Sequence, residues 1–159
     1  MTSEKAYDVS QRMDAHIAAH LATVPGTSPG LGTSMTTCMS VVLPTTDVYV
    51  VQGALLINAQ SSGGTLSYRA NPAGGLAAAA SRIAWAELNG TSVGVVAMNG
   101  IGNTITGSTI GGGLADRLVW FTGTVQPATP GTLNIQAALS SGSATAYSVG
   151  SHVDAWKIT

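Results

Sequence analysis

From Thr33 to the C-terminus, apolar and polar positions alternate with a period of two, and Gly, Pro, Asn and Ser clusters interrupt the alternation at short intervals. That pattern predicts strand after strand. Met35, Thr37, Met39, Val41 and Leu43 run to Pro44, which suits an edge or a strand end. In 48-VYVVQGALLINA-59, Tyr49, Val51, Leu55 and Ile57 share one face, and the other face is also largely apolar. Residues 65–70 read as a short strand before 71-NPAGG-75. Asn89-Gly90, between 81-SRIAWAEL-88 and 91-TSVGVVAM-98, predicts a type I′ hairpin. Pairing outward from it sets Ala86 opposite Val93 and Trp85 opposite Gly94. Residues 99–113 read as a glycine-rich flexible loop, and strands follow at 117–126, 132–139 and 145–158.

Residues 3–22 carry a different period. Ser3 can cap a helix, and Val9, Met13, Ile17 and Leu21 recur every four residues as one stripe. Asp8 and Arg12 form a favourable i,i+4 pair. The stretch 25-PGTSPGLG-32 ends the helix as a hinge. The chain therefore divides into a helical arm, 1–32, and a β domain, 33–159. The expected fold is all-β, a sandwich or barrel of about eight antiparallel strands behind a short N-terminal helical arm.

Composition sharpens this picture. Hydrophobic residues make up 45% of the 159 and charged residues only 8%, against about 25% in an ordinary soluble protein. Five of the thirteen charges fall within the first fourteen residues. A body so poor in charge is weakly protected against association. Strands apolar on both faces exceed what one two-layer core can cover. Both features favour an oligomer in which subunits cover one another.

The same counts exclude partners. Net charge is −1 and the arginines are isolated, so phosphate neutralisation has no basic cluster to use, and no nucleic-acid partner is expected. No run of 18 apolar residues exists, so no membrane span is expected, and the charged N-terminus lacks the apolar core of a secretory leader. Cys38 has no partner cysteine and reads as a small buried residue.

Motifs for chemistry fail on context. In 26-GTSPG-30 the residue after Ser28 is proline, which lacks the N–H an oxyanion hole needs, and in 90-GTSVG-94 Ser92 lies in a hairpin with no helix following. His16 and His20 sit one helical turn apart, half of a zinc site, but Ile17 stands where the hydrolase motif needs glutamate. Three copies of that helix could instead ring a threefold axis with these histidines and make a trimer pH-sensitive. Asp47, Glu87, Asp116 and Asp154 form no evident pair for glycoside cleavage. Neither 100-GIGNTITG-107 nor 111-GGG-113 is followed by the lysine and helix of a phosphate cradle. No catalytic residue, cofactor or metal is expected. Trp85, Trp120 and Trp156 lie inside strands and read as core or subunit-interface aromatics, and Tyr147 as an exposed ring.

One stretch resembles a known family. The elements 130-PGTLNIQ-136, 140-SSGSAT-145 and 150-GSHVDAWKI-158, within 119–158, are similar to the closing strands of TNF/C1q-like jelly-roll domains in phage structural proteins, especially those of actinobacterial phages. The resemblance implies a jelly roll, trimeric, on the outside of a virion assembled in the host cytoplasm. As capsid decoration or tail accessory it would contact other virion proteins, anchored through Val9, Met13, Ile17 and Leu21. The alternative is a receptor- or carbohydrate-binding module at the tail tip, with a host surface receptor as partner. The chain departs from the family pattern in having few aromatics on its outer loops and a short arm in place of a fibrous stalk.

Overall fold

The computed structural model describes residues 21–23, 28–60, 63–73, 77–89, 92–110 and 116–158. Among these are eleven strands and no helix: β1 (Leu21–Thr23), β2 (Gly30–Leu31), β3 (Thr36–Leu43), β4 (Tyr49–Ala59), β5 (Thr65–Ala73), β6 (Ala77–Asn89), β7 (Ser92–Asn99), β8 (Ile105–Thr109), β9 (Arg117–Thr129), β10 (Gly131–Leu139) and β11 (Ala144–Lys157). They form two antiparallel sheets. The larger runs β1-β11-β4-β9-β6-β7, with β2 also on β11; the smaller runs β3-β10-β5-β8.

The pairing is nested. The hairpin β6·β7 lies innermost, then β5·β8, β4·β9, β3·β10 and β2·β11. Successive pairs alternate between the sheets, and β6·β9, β4·β11 and β5·β10 zip them side by side. One long antiparallel ribbon is thus rolled into a two-layer sandwich, a jelly-roll-like architecture as expected, with more strands than the expected eight.

Alternation decides what fills it. Tyr49, Val51, Leu55 and Ile57 of β4, Val119, Phe121 and Val125 of β9, and Ile83 and Trp85 of β6 are buried, facing Leu66, Tyr68, Leu133, Ile135 and Leu139 of the smaller sheet. Trp85 is the hub, with ring centroids 5.1 Å from both Tyr68 and Phe121 at tilted angles. Such contacts add about 0.5–1.5 kcal/mol each beyond burial.

Several expectations need correction. Asn89 belongs to β6 and pairs with Ser92, so it is a strand residue and not part of the turn as expected. Glu87 pairs with Val95 and Leu88 with Val93, leaving Gly94 as an extra residue, so Trp85 lies opposite Ala97. β5 continues through Asn71 and Pro72, which is tolerable because β8 flanks it only between Thr65 and Tyr68. Part of the expected loop 99–113 is β8, with Ile105 and Ile110 buried.

The helical stripe was expected to reach Leu21, but Leu21–Thr23 is a strand paired with Ala155, Asp154 and Val153. Val9, Met13, Ile17, His16 and His20 lie outside the described residues. The expected hinge is partly woven into the sandwich. Leu31 is buried, Pro29 accepts a hydrogen bond from Ala146 N at 3.0 Å, and Gly32 accepts one from Leu139 N at 2.9 Å.

Burial pushes the Cys38 thiol up to about 12, only partly offset by a backbone hydrogen bond involving Ala137. At pH 8 the native chain should therefore leave Cys38 unreacted with a disulfide reagent over minutes, whereas urea should release one thiol per chain. Rapid native reaction would contradict this burial.

Candidate functional site

Two places concentrate polar or exposed side chains: a sealed cluster inside the sandwich and the outward face of the larger sheet. In the first, Glu87 follows Ile83 and Trp85 on the inward face of β6, and Arg117 precedes Val119 on the inward face of β9. Both are fully buried, at 0% and 2% exposure, with Arg117 Nε 3.7 Å from Glu87 Oε1. Ser108 of β8 donates its backbone N–H to Glu87 Oε2 at 2.9 Å and its hydroxyl to Glu87 Oε1. The Tyr68 phenol lies beside the same carboxylate; burial first, and the Glu87 charge second, raise its pKa.

Gly107 makes this approach feasible. A methyl there would lie 2.5 Å from Glu87 Oε2 and 2.8 Å from Tyr68 Cε1. The cluster clamps β6 and β9 of one sheet to β8 and β5 of the other. Glu87, Arg117 and Tyr68 are buried, and Ser108 is half-buried. Sequence reasoning left Glu87 among unpaired carboxylates, yet its parity with Ile83 and Trp85 marked it as inward.

Elsewhere the carboxylates form separate surface contacts. Asp47 meets Lys157 Nζ at 2.8 Å and accepts from Thr45 Oγ1 at 2.6 Å; these two contacts hold its pKa below the ordinary carboxylate value. Asp116 accepts from Asn58 Nδ2 at 2.8 Å. Among the described residues, no three His, Cys, Asp or Glu side chains converge.

The second place is built by register. On the outward face of the larger sheet, Leu56 lies between Tyr147 and Leu118, Ala54 between His152 and Trp120, Gln52 between Asp154 and Thr122, and Val50 between Trp156 and Thr124. β6 continues these rows with Leu88, Ala86, Ala84 and Arg82. Trp120 is 45% exposed and stands beside small residues on both neighbouring strands. The result is a hollow of about 390 Å³, lined chiefly by Gln52, Ala84, Ala86, Trp120, Thr122 and His152.

The outward face of the smaller sheet has the opposite character. It presents Thr37, Ser40, Ser67, Asn71, Thr132 and Asn134 around one exposed apolar residue, Val42, and a polar ladder crosses it: Arg69 Nε donates to Gln136 Oε1 at 2.8 Å, and Gln136 Nε2 to Thr37 Oγ1 at 3.1 Å. Of the aromatics singled out from the sequence, Trp85 is core at 2% exposure and unavailable to a partner, Trp156 is half-buried at the rim, and Trp120 holds the centre of the apolar face. Tyr147 is exposed as expected.

No protein-family description matches the chain, and no curated protein matches it. Among solved structures the chain is similar to Eiger, a TNF protein of S. frugiperda, at 10% identity over 88% of this chain and 92% of that one, with a TM-score of 0.46.

Arg117→Met should strand the Glu87 carboxylate in the core and cost about 3–5 kcal/mol in urea denaturation. Adding Glu87→Leu should recover much of that loss, because the two changes are coupled. Gly107→Ala should cost about 1–3 kcal/mol by overpacking the same cluster. Equal, additive losses for the two members of the pair would show that they act independently.

Proposed function

We propose that the chain is a non-enzymatic structural subunit of a bacteriophage particle. In this reading it is a homotrimer displayed on the virion as capsid decoration or tail accessory, held by its N-terminal arm to other virion proteins. The observation that carries the reading is the contrast between the two outward faces. Leu56, Leu88, Leu118, Trp120 and Tyr147 gather on one sheet, while the other carries mainly Ser, Thr, Asn, Gln and Arg, with Val42 its one large exposed hydrophobic residue among those described. A contiguous apolar sheet face marks a contact surface, and a charge-poor body suits a molecule whose contacts are other subunits. The likeness of residues 119–158 to phage jelly rolls supports the virion setting and the trimer.

A second reading, a receptor- or carbohydrate-binding module at a tail tip, is favoured by one observation. An exposed indole flanked by an amide, an imidazole and a hydroxyl, at Trp120, Gln52, His152 and Thr122, suits stacking and hydrogen bonding of a sugar ring.

Light scattering should give three times the 15.9 kDa chain mass for the intact protein. Trp120→Glu should reduce it to the monomer with unchanged circular dichroism, and Ser40→Glu on the polar face should leave the mass alone. Deleting residues 1–20 should abolish attachment to particles yet preserve the β fold. A monomeric parent whose tryptophan fluorescence responds to oligosaccharides would favour the second reading instead.

A further inference from the structure

We infer that the Glu87 cluster is an internal binding site for one water molecule, which bridges the Tyr68 phenol to the Glu87 carboxylate. Tyr68 is 0% exposed, its ring packed against Trp85 in the aromatic core. Its hydroxyl meets no donor or acceptor at hydrogen-bond length and angle. Burial strips such a group of its hydration with nothing in return. Nearly all buried polar atoms in folded proteins are therefore paired, with other protein groups or with ordered water.

The second end of the bridge is close by. Glu87 lies near enough for its charge and polar pull to raise the phenol's pKa, behind burial as the first cause. Its carboxylate is engaged by Ser108, which gives its N–H to Oε2 at 2.9 Å and its hydroxyl to Oε1. Each carboxylate oxygen can accept a second donor, so the group has capacity left. Two polar groups that are near but not in contact are where a bridging molecule belongs.

The lining selects water. An anion would face the Glu87 carboxylate. A metal cation would sit beside the Arg117 guanidinium, whose Nε is 3.7 Å from Glu87 Oε1, and among the described residues no three His, Cys, Asp or Glu side chains converge to hold it. A larger molecule has no space on the Gly107 side, where a methyl would already lie 2.5 Å from Oε2 and 2.8 Å from Tyr68 Cε1. Water accepts from the phenol and donates to the carboxylate, and two to four such partners are enough to hold it. β8 supplies the way in. Gly107 and Ser108 together fall opposite the single residue Leu66, a bulge that turns Ser108 towards Glu87. Ser108 is half-buried, so the cluster comes close to solvent there, and the water exchanges when this edge strand opens.

Urea denaturation of Tyr68→Phe, which removes one oxygen and keeps the ring, gives the first test. Loss of a bridged hydroxyl should lower the midpoint. Loss of an unpaired one leaves the midpoint unchanged or raises it, and that result would overturn the inference. A crystal structure of the full chain, at a resolution that orders waters, then separates a bridge from a direct bond. It should show a water within about 3.2 Å of both Tyr68 Oη and a Glu87 carboxylate oxygen. A dry site, or a phenol bonded directly to Glu87, would overturn the inference.

Discussion

The larger sheet carries apolar residues on both faces, and among the described elements the smaller sheet covers only one of them. The smaller sheet lies over Val51, Leu55, Ile57, Val119 and Phe121, and buries them completely. Leu56, Leu88, Leu118 and Trp120 point away from the smaller sheet, on the other side of these strands. Water against such a surface costs on the order of 25 cal/mol per Å². Much else follows from this imbalance. It gives meaning to the scarcity of charge, to the polar character of the opposite sheet, and to small residues on either side of one large ring.

The buried ion pair serves the same face from beneath. Glu87 sits between Ala86 and Leu88, which point outward, and Ala86 is paired with Trp120. A buried ion pair is weak evidence for stability, because desolvating both charges offsets most of their attraction. What it supplies here is registration. Only one alignment of β6, β9 and β8 lets Glu87 receive both Ser108 groups and face Arg117. The floor of that outward face is thereby fixed by a polar contact on its hidden side.

Much of the fold was legible in the sequence wherever a strand alternates cleanly, as in Leu133, Ile135, Ala137 and Leu139. What escaped was decided at long range. β8 has few large apolar residues and becomes a strand through pairing with β5 and through the capture of Ser108 by Glu87, twenty-one positions away. Asn89-Gly90 announced a hairpin, but Asn89 itself pairs with Ser92 and the bulge at Gly94 shifts the register further, beyond what a local turn rule foresees. The distinction between Trp85 and Trp120 was in reach. Trp85 shares parity with Ile83, whereas Trp120 breaks the parity of Val119 and Phe121. Leu21 carried a helical period yet lies in a strand whose partner is at the far end of the chain.

The nested ribbon has a temporal consequence. Its closing ladders join residues far apart in the sequence: Leu31 pairs with Ala144, and Leu21 with Ala155. On the ribosome, which adds about 5–20 residues per second, β4 lacks its β11 neighbour until synthesis has passed Lys157. Contacts so distant in sequence place the chain among slow folders. The apolar positions of β4 and β9 are thus exposed on the nascent chain before β11 is there to border them.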